Sequence, residues 1–504
     1  MLFYFLSIGF FACTSSKQDT SSSNDNGFSY LDASSLPEFR GSGGPQVNFT
    51  EDQLWNNCAV LMGGEQDYDH HNLVVPYRGH LVMPWSPEFG TGGISFFDME
   101  DPCNPQKVAE GWHDRMRESH ALGFIHLRED DPDNEGIFGD YVVLTGTKGL
   151  QFWNVTDLDN LEMINYMEIE GVFYPDSYTR VVLSVFWQYP YVYVAAADNG
   201  VFIVDAKNPY EPELVGHYPF TPILRASGVF AQGNDLLVTS AEGEEAVMLD
   251  ISDPIDPQPI PGGAFITYDA EGDAIEAYHA NRAGNLAMFA RKEGGGGVMV
   301  YDISNPSTPT FIGDVKTEGG NGGYVFYDEG YLFLGDSHWG KVFDGRDLTN
   351  ITEIGTGYLP GDLDTMTPFG NVAILSVDDE AEDEISSAVM PWQTEADTTG
   401  PKILDHSPKD GETGLALSTR IGVGCNEAIE PSSVFAGSVR IFDEDGNGID
   451  GWGNAQENTI NFTPKEPLKE GTTYRVEIKA NGIRDAHGNV LEEDYSFSFT
   501  TVGM

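Results

Sequence analysis

Residues 297–306 read GVMVYDISNP, and TPTFIG follows at residues 308–313. The first half is a glycine-led run of β-branched and aromatic residues, which is typical of a β-strand. Asp302 and Asn305-Pro306 then mark a turn, because Asp and Asn side chains accept hydrogen bonds from the backbone two residues on and Pro ends strand pairing. The stretch therefore predicts a strand, a turn marked by Asp302, and a second short strand.

The same unit recurs along most of the chain. Counted on the Asp302 position, successive markers are separated by 56, 51, 45, 52 and 42 residues. Strand-type repeats with a period of about 40 to 55 residues are typical of propeller blades rather than of one large sandwich. The markers are Asp98, Asn154, Asp205, Asp250, Asp302 and Asp344.

Each unit has room for four strands. Upstream of Asp250, residues 226–230 and 236–239 form two further strand-like runs with a turn between them. The last unit begins near residue 362 and has only three such runs, whereas residues 58–63 form a lone strand near the start of the chain. We therefore predict an all-β fold with a seven-bladed β-propeller, in which residues 58–63 complete the last blade and remove the exposed sheet edges.

The strand at residues 201–205 reads VFIVD, and the units resemble the LVIVD-repeat family of bacterial surface β-propellers. The resemblance covers roughly residues 55–395, and Asn154 is the one marker that departs from Asp. It implies a propeller fold and an extracytoplasmic setting. The family has no general activity that could be assigned to this chain.

The pattern changes after the propeller segment, which we place at residues 46–395. Residues 396–400 form a polar linker, and residues 401–504 alternate short strands with turns at the spacing of a β-sandwich. The motifs IRDAHGN at residues 483–489 and YSFSFTT at residues 495–501 closely resemble the bacterial Ig-like domain of surface-layer and adhesin-type proteins. That resemblance implies a spacer or an adhesive module.

The N-terminal segment predicts export and a lipid anchor. Residues 1–12 are apolar, too short for a transmembrane helix and suited to a secretory signal, and Ala12-Cys13 resembles the cleavage point of a bacterial lipoprotein. Cys13 is therefore the predicted lipidation site, with residues 1–13 as the signal and residues 14–45 as a flexible polar tether. Phe10 and the lack of Lys or Arg before the apolar run depart from such signals, so a differently cleaved signal or a misplaced gene start stays open. The predicted location is the cell envelope, at the outer membrane or the cell surface, with the lipid as the only membrane contact.

The chain is strongly acidic. It carries 80 acidic and 26 basic residues, which gives a formal net charge of −54. Such a charge disfavours nucleic acid and anionic membrane surfaces as partners and favours cations. Adaptation to saline surroundings and a specific role for multivalent cations both fit it.

Three cysteines follow Cys13, namely Cys58, Cys103 and Cys425. Their spacing matches neither a zinc site nor a dense disulfide framework. Buried free thiols are the favoured interpretation. A disulfide between Cys58 and Cys103 is the alternative in an oxidising compartment.

When the units are aligned on their first turns, polar residues fall at the starts of the innermost strands. These starts surround one mouth of the central channel. His120 and His279 lie within a few positions of these starts. Several His side chains on one axis could bind copper, zinc or iron. The same residues also fit a small-molecule or glycan site, or a hydrated polar channel. The hydrated channel is the favoured interpretation. No HExxH, Ser-His-Asp or phosphate-loop motif supports catalysis. The residues at the strand starts are His71, Arg180, Arg225, Glu276, Asn321 and Asp362.

Residues 443–450 read DEDGNGID and match the first half of a calcium loop. Position twelve of that loop is Asn454 in place of a bidentate Glu, and no flanking helices are indicated, so a polar hairpin loop is the favoured alternative. Ca²⁺ is therefore the candidate cofactor, and no other cofactor is assigned. The candidate Ca²⁺ ligands are Asp443, Asp445, Asn447 and Asp450.

The sequence as a whole favours a non-enzymatic lipoprotein that binds a protein, glycan or small molecule through its propeller face. The alternative is an extracytoplasmic metal-dependent oxidoreductase or hydrolase that uses His71, His120 and His279. A purely structural role in the envelope is a third interpretation.

Overall fold

The computed structural model describes residues 28–503, apart from residues 65–72, 88, 118, 135, 174–178, 293–294 and 380–384. In this part of the chain the regular structure consists of strands and three short 3-10 helices, Glu51–Gln53, Pro132–Asn134 and Pro431–Ser433. The predicted all-β class is therefore confirmed. Within the same residues, no helix has the length and apolar character that a membrane crossing requires.

The propeller strands follow one another in groups of four after an isolated first strand. The first groups comprise β1 (Ala59–Val60), then β2 (Val75–Tyr77), β3 (His80–Trp85), β4 (Phe89–Asp98), β5 (Gln106–Arg117), then β6 (Gly123–Leu127), β7 (Gly139–Gly146), β8 (Gly149–Asn154) and β9 (Glu162–Glu168). The next two are β10 (Ser184–Gln188), β11 (Tyr191–Ala195), β12 (Val201–Asp205), β13 (Glu213–Tyr218), and β14 (Ala226–Gln232), β15 (Asp235–Ser240), β16 (Glu245–Asp250), β17 (Gln258–Ile266). The remainder are β18 (Ala277–Ala283), β19 (Leu286–Arg291), β20 (Gly297–Asp302), β21 (Thr310–Lys316), β22 (Gly322–Asp328), β23 (Tyr331–Asp336), β24 (Trp339–Asp344), β25 (Thr352–Tyr358), β26 (Asp362–Phe369), β27 (Val372–Asp379) and β28 (Ser387–Pro391).

These strands form five four-stranded sheets and one eight-stranded sheet in the described part of the chain. The eight-stranded sheet has two halves, β2–β5 and β6–β9, which are joined by the single pair Met116 and Gly146. Neighbouring strands pair antiparallel, so each group of four is a meander, which is the form of a propeller blade. We call each group of four a unit.

The two ends of the propeller segment meet in one sheet. β1 pairs with β28 through Ala59 with Val389 and Val60 with Ala388, which gives the order β1-β28-β27-β26. A strand from the start of the chain thus completes the last unit, as the sequence predicts. The pairing satisfies backbone groups that two free sheet edges would otherwise leave exposed.

The marker residues close their turns by the predicted chemistry. Asp302 Oδ1 accepts a hydrogen bond from the backbone N–H of Ser304 at 2.8 Å, and Asn305 Oδ1 accepts one from that of Ser307 at 3.1 Å. The amide oxygen of Asn154 makes the same bond as the carboxylates do, which explains why this departure from the repeat is tolerated. The equivalent bonds at Asp98, Asn154, Asp205, Asp250 and Asp344 measure 2.7 to 3.1 Å.

Cys58 and Cys103 form a disulfide, with their Cα atoms 5.0 Å apart. The favoured prediction of free thiols is therefore wrong for this pair, whereas Cys425 is a buried free thiol. Cys58 precedes β1 in the last unit and Cys103 follows β4 in the first unit. Ring closure brings them together across 45 residues of sequence, and the disulfide holds that closure covalently.

The C-terminal residues form two packed four-stranded sheets, as predicted for a sandwich. The strands are β29 (Ile403–Ser407), β30 (Glu412–Leu415), β31 (Ile421–Cys425), β32 (Val439–Phe442), β33 (Gly451–Gln456), β34 (Thr459–Pro464), β35 (Thr473–Ile478) and β36 (Tyr495–Thr501). Their orders are β29-β31-β34-β33 and β30-β36-β35-β32, and the facing sides enclose an apolar core that includes Phe462, Tyr474 and Phe499. β30 and β36 pair in parallel, whereas the other neighbouring strands described here pair antiparallel.

Residues 28–45 pack against both domains, so the predicted flexible tether is wrong over this part. The Tyr30 hydroxyl lies 2.6 Å from the carbonyl oxygen of Ile441 and accepts a hydrogen bond from the N–H of the same residue at 2.7 Å. Arg40 donates to the carbonyl oxygen of Val155 at 2.8 Å. The aromatic ring of Tyr30 supplies apolar area that a purely polar tether lacks. The predicted signal, Cys13 and residues 14–27 lie outside the described residues.

Candidate functional site

The first strands of the units line the axis of the propeller. β6, β10, β14, β18, β22 and β26 pack against one another in sequence around the ring. Because they run in the same direction, their starts gather at one end of the ring and the turns that follow them gather at the other. We call these the start end and the turn end. The turns at the turn end include Arg78-Gly79, Tyr189-Pro190, Gly233-Asn234, Gly284-Asn285, Glu329-Gly330 and Gly370-Asn371.

The Ig-like domain lies on the turn end. The backbone N–H of Gly233 donates to Asn461 Oδ1 at 2.9 Å, and that of Glu329 donates to the carbonyl oxygen of Asn426 at 2.7 Å. These bonds engage turns from several units, so the domain spans the end of the ring. Further contacts of this kind join Arg78 N–H to Glu430 Oε2 at 2.8 Å and Tyr189 N–H to Asn454 Oδ1 at 3.2 Å.

Buried amide side chains of the Ig-like domain complete the hydrogen bonding of propeller strands. Gln456 Oε1 accepts from the N–H of Trp187 at 2.9 Å, and its Nε2 donates to the carbonyl oxygen of Val185 at 2.9 Å, which is the pair of bonds that an added strand would make. Asn461 Nδ2 donates to the carbonyl oxygen of Ala231 at 2.8 Å. Each amide therefore recognises a specific backbone position.

The two domains approach to backbone contact. A Cβ atom on Gly424 would lie 2.0 Å from the Cα of Gly284, so any side chain there would force the domains apart. Arg420 is buried in the same interface, where it lies 3.2 Å from the Tyr193 hydroxyl and also bonds to the carbonyl oxygen of Ile251. The Ig-like domain is thus a docked cap on the turn end, rather than the spacer held away from the propeller that its resemblance implies.

The start end brings together two of the predicted histidines. His120 Nδ1 lies 3.2 Å from His279 Nε2, and both side chains are buried. The His279 ring stacks on Tyr324 with centroids 3.8 Å apart and an interplanar angle of 12°. Tyr324 was not among the predicted site residues. The available signal was an aromatic residue near the start of an innermost strand.

The other predicted residues of the start end are distributed around it. Arg180 is exposed and donates from Nε to the carbonyl oxygen of Gly171 at 3.1 Å. Arg225 is paired with Asp198 at 3.1 Å and with Glu242 at 3.6 Å, so its charge is neutralised locally.

The remaining candidates of this group lie close to strand starts. Glu276 is half-buried, and its carbonyl oxygen accepts from the N–H of Lys292 at 2.9 Å. Asp362 begins β26 opposite Asp379. Asn321, just before β22, has a buried Oδ1 with no hydrogen-bond partner among the described residues. His71 lies outside the described residues.

Three exposed apolar side chains also lie at the start end. Each lies in a connection from the fourth strand of one unit to the first strand of the next. Single exposed apolar side chains are normal on a protein surface, whereas several on one face are typical of a surface that contacts a partner. The residues and their exposed fractions are Phe173 at 43%, Ile223 at 68% and Tyr268 at 45%.

The predicted calcium loop at residues 443–450 bonds mainly to the protein itself. The Asp443 carboxylate accepts from the N–H of Asn447 at 2.8 Å and from Lys469 Nζ at 3.0 Å. Asp450 is paired with Lys465 at 2.9 Å. The ammonium groups of two lysines thus contact two of the candidate Ca²⁺ ligands, which agrees with the alternative of a polar hairpin loop.

Two families match parts of the chain. Residues 397–501 match the bacterial Ig-like domain family Big_5, and residues 190–219 and 292–317 match the LVIVD repeat. No curated protein matches the chain.

Solved structures with a similar fold are β-propellers of low sequence identity. They include the β-propeller domain of Cps50 (Swd1) from Myceliophteria thermophila, with 10% identity, a TM-score of 0.47, and coverage of 66% of this chain and 98% of that one. The Pan2 WD40 domain of Neurospora crassa has 10% identity, a TM-score of 0.47, and coverage of 69% and 99%. The periplasmic gluconolactonase PpgL of Pseudomonas aeruginosa has 10% identity, a TM-score of 0.45, and coverage of 56% and 83%.

Structural similarity at these TM-scores does not support an inference about function. The matched segments agree with the strand units and the sandwich described above, since each repeat match contains the third strand and marker turn of a unit. The chain thus contains segments that match the LVIVD repeat within its propeller strands, and a C-terminal segment that matches the bacterial Ig-like domain.

Proposed function

We propose that this chain is an extracytoplasmic binding protein that engages a protein, glycan or small-molecule ligand at the start end of its propeller. The propeller has seven blades, if the two halves of the eight-stranded sheet are counted separately. It spans residues 46–395, and residues 396–400 link it to the Ig-like domain at residues 401–504. The main observation behind this proposal is that the Ig-like domain is docked on the turn end. A ligand would therefore bind at the opposite end, the start end.

The composition of the start end supports this assignment. Ile223 and Tyr268 are exposed at the same end of the ring as the half-buried Arg225 and the exposed Arg180. Aromatic, aliphatic and Arg side chains supply most of the binding energy in recognition surfaces, because they bury large areas and donate several hydrogen bonds. No covalent step is needed for such a role.

Ile223→Glu is expected to weaken ligand binding about tenfold or more, because a charge at a buried contact costs more than 1.4 kcal/mol. Ligands are first sought with residues 28–504 on a glycan array and against a panel of purified envelope components, and affinities are then measured by interferometry. Leu404→Glu is the matched control, since Leu404 is a 40% exposed residue of the Ig-like domain. Equal losses in both variants, or none in Ile223→Glu, would contradict the proposal.

A metal-dependent oxidoreductase or hydrolase is the second candidate, and the His120 and His279 pair favours it. Two nitrogens bound to one tetrahedral zinc at 2.0 to 2.1 Å are about 3.4 Å apart, close to the observed 3.2 Å. The third predicted ligand, His71, lies outside the described residues. This candidate requires about one copper, zinc or iron per chain in untagged protein, lost in His120→Ala. Elemental mass spectrometry that finds none of these metals would rule it out.

We also propose that Cys13 is lipidated and anchors the chain to the outer membrane or the cell surface, on the strength of the apolar run that precedes it. Cells fed an alkyne fatty acid are expected to label the wild-type chain and to leave Cys13→Ser unlabelled. Cys425→Ser is the matched control and should keep the label, because Cys425 is a buried thiol of the Ig-like domain. Label retained in Cys13→Ser would refute lipidation at this residue.

A further inference from the structure

A cluster of carboxylates lies where the propeller, the linker and the Ig-like domain join. One oxygen from each of Asp397, Glu427 and Asp485 lies within 4.8 Å of the others. The charges of two further carboxylates, one at the end of β22 and one in the turn after it, act on Glu427. We call these five the junction carboxylates: Asp328, Glu329, Asp397, Glu427 and Asp485.

Arg484 and His487 interact electrostatically with Asp485, but the described lining of the cavity beside the cluster is otherwise acidic or uncharged. The adjoining cavity has a volume of about 230 Å³ and is lined by Asp328, Glu329, Asp397 and Glu427. Its described lining contains no Lys or Arg, and His487 is the one basic residue there. The cluster therefore concentrates negative charge in a partly enclosed space, which is unfavourable unless protons or a cation occupy it.

Glu427 is the member that most clearly points to a missing ligand. Glu427 is 3% exposed, and its buried Oε1 has no hydrogen-bond partner among the described residues. A buried carboxylate oxygen without a partner costs about 1 to 3 kcal/mol or more, so native structures rarely leave one. The other carboxylates of the cluster surround this oxygen rather than donating to it.

A second carboxylate group in the same chain provides a contrast. Oxygens of Asp269, Glu271 and Asp314 are equally close together. There, Lys316 Nζ lies 2.9 Å from Asp269 and Arg291 lies 3.3 Å from Asp314. The chain neutralises that group with ion pairs to its own side chains, whereas no Lys or Arg lines the cavity beside the junction carboxylates in the described residues.

We propose that the junction carboxylates bind Ca²⁺, with oxygens of Asp397, Glu427 and Asp485 as direct ligands. Ca²⁺ takes six to eight oxygen ligands at about 2.3 to 2.6 Å, so oxygens on one ion are at most about 5 Å apart, as these are. Mg²⁺ is a poorer fit, because it requires near-ideal octahedral geometry and retains most of its water. This site is separate from the hairpin loop at residues 443–450.

The ion would join three segments that otherwise repel one another. Asp397 belongs to the linker, whereas Glu427 and Asp485 follow β31 and precede β36 in the Ig-like domain. Thr399 Oγ1 lies 2.7 Å from Glu329 Oε1 and 3.0 Å from Asp397 Oδ1, which ties the propeller turn to the same position. Ca²⁺ would balance the charges of these carboxylates and strengthen the docking of the cap.

The test is calorimetric titration of CaCl₂ into residues 28–504 after removal of metal with a chelator, with MgCl₂ for comparison. We expect one Ca²⁺ per chain, a weaker response to Mg²⁺, and a melting temperature that rises by several degrees with Ca²⁺. Glu427→Gln keeps the shape but removes the charge, and it should weaken Ca²⁺ binding at least tenfold. In the presence of chelator, Glu427→Gln should also have a higher melting temperature than the wild type, because the repulsion between the junction carboxylates is reduced. A purely structural Glu427 would not give this second result.

Two further variants keep the proposal falsifiable. Asp397→Asn lies in the linker and provides the same test should Glu427→Gln fail to fold. Asp443→Asn in the hairpin loop is the matched control and should bind Ca²⁺ as the wild type does. Absence of Ca²⁺ binding, binding that persists in both Glu427→Gln and Asp397→Asn, or loss in Asp443→Asn alone would each overturn the proposal.

Discussion

Replacement of Asp140 by Ala is expected to destabilise the propeller by about 3 to 5 kcal/mol, because it leaves buried charges without their partner. The Asp140 side chain is 1% exposed and lies 2.8 Å from Arg78 and 2.8 Å from His126. It also accepts a hydrogen bond from the Tyr77 hydroxyl at 2.6 Å and lies 3.5 Å from Arg40. The carboxylate thus joins the first two units and the N-terminal segment. Differential scanning calorimetry of residues 28–504 should show a melting temperature lower by several degrees.

Asp159→Ala is the matched control for this variant. Asp159 is exposed, and its removal should change stability by less than about 0.5 kcal/mol. Equal melting temperatures for Asp140→Ala and the wild type would show that the network contributes nothing to stability.

The same carboxylate gives a pH dependence with a definite sign. Burial opposes its ionisation, but the hydrogen bond from His126 and the charges of His126, Arg78 and Arg40 lower the pKa of Asp140 from 3.8 to about 2. A group whose pKa is lower in the folded state stabilises the fold above its unfolded pKa. This contribution is therefore present above about pH 4 and is lost as the pH falls towards 2. Asp140→Asn should reduce the loss of stability across that window.

Asn461→Ala is expected to weaken the docking of the Ig-like domain by about 2 to 4 kcal/mol, since it leaves two buried backbone groups unpaired. Asn461 is 1% exposed and bonds to the N–H of Gly233 and the carbonyl oxygen of Ala231 at 2.9 and 2.8 Å. The linker at residues 396–400 should then be cleaved faster in limited proteolysis. The calorimetric transition should also begin at a lower temperature.

Thr473→Ala is the control for the cap. Thr473 is an exposed residue of the Ig-like domain whose hydroxyl bonds only to Thr500, at 3.0 Å. It should leave both the proteolysis rate and the melting curve within error of the wild type. If Asn461→Ala also does so, the amide contacts do not hold the domain in place.

The fold was predictable where local chemistry determines it. The Asp302 turn depends on a hydrogen bond that reaches only two residues along the chain, so its repetition identified the strand units. The completion of the last unit by Ala59 and Val60 followed because three strands at one end needed a fourth. The N-terminal segment around Tyr30 was assigned wrongly, because its polar residues obscured the aromatic ring that binds it to the Ig-like domain.

The contacts between distant segments were not predictable from spacing. Gln456 and Asn461 have the composition of a solvated strand surface, and only the assembled turn end shows what they bind. Alternating amides at Asn454 and Gln456 were the available signal. His120 and His279 are 159 residues apart, and their alignment to strand starts did anticipate that they lie together. The junction carboxylates come from four separate segments, so no motif reveals them.

The position of the cap is tested most directly by hydrogen exchange of the turn amides in residues 28–504, measured by mass spectrometry. The N–H groups of Gly233 and Glu329 donate to the Ig-like domain, so the account predicts strong protection of both turns in the wild type. The exposed turn at residues 318–319 serves as the internal reference for fast exchange. Protection of Gly233 should fall in Asn461→Ala. Exchange at Gly233 and Glu329 as fast as at residues 318–319 in the wild type would show that the Ig-like domain is not docked on the propeller.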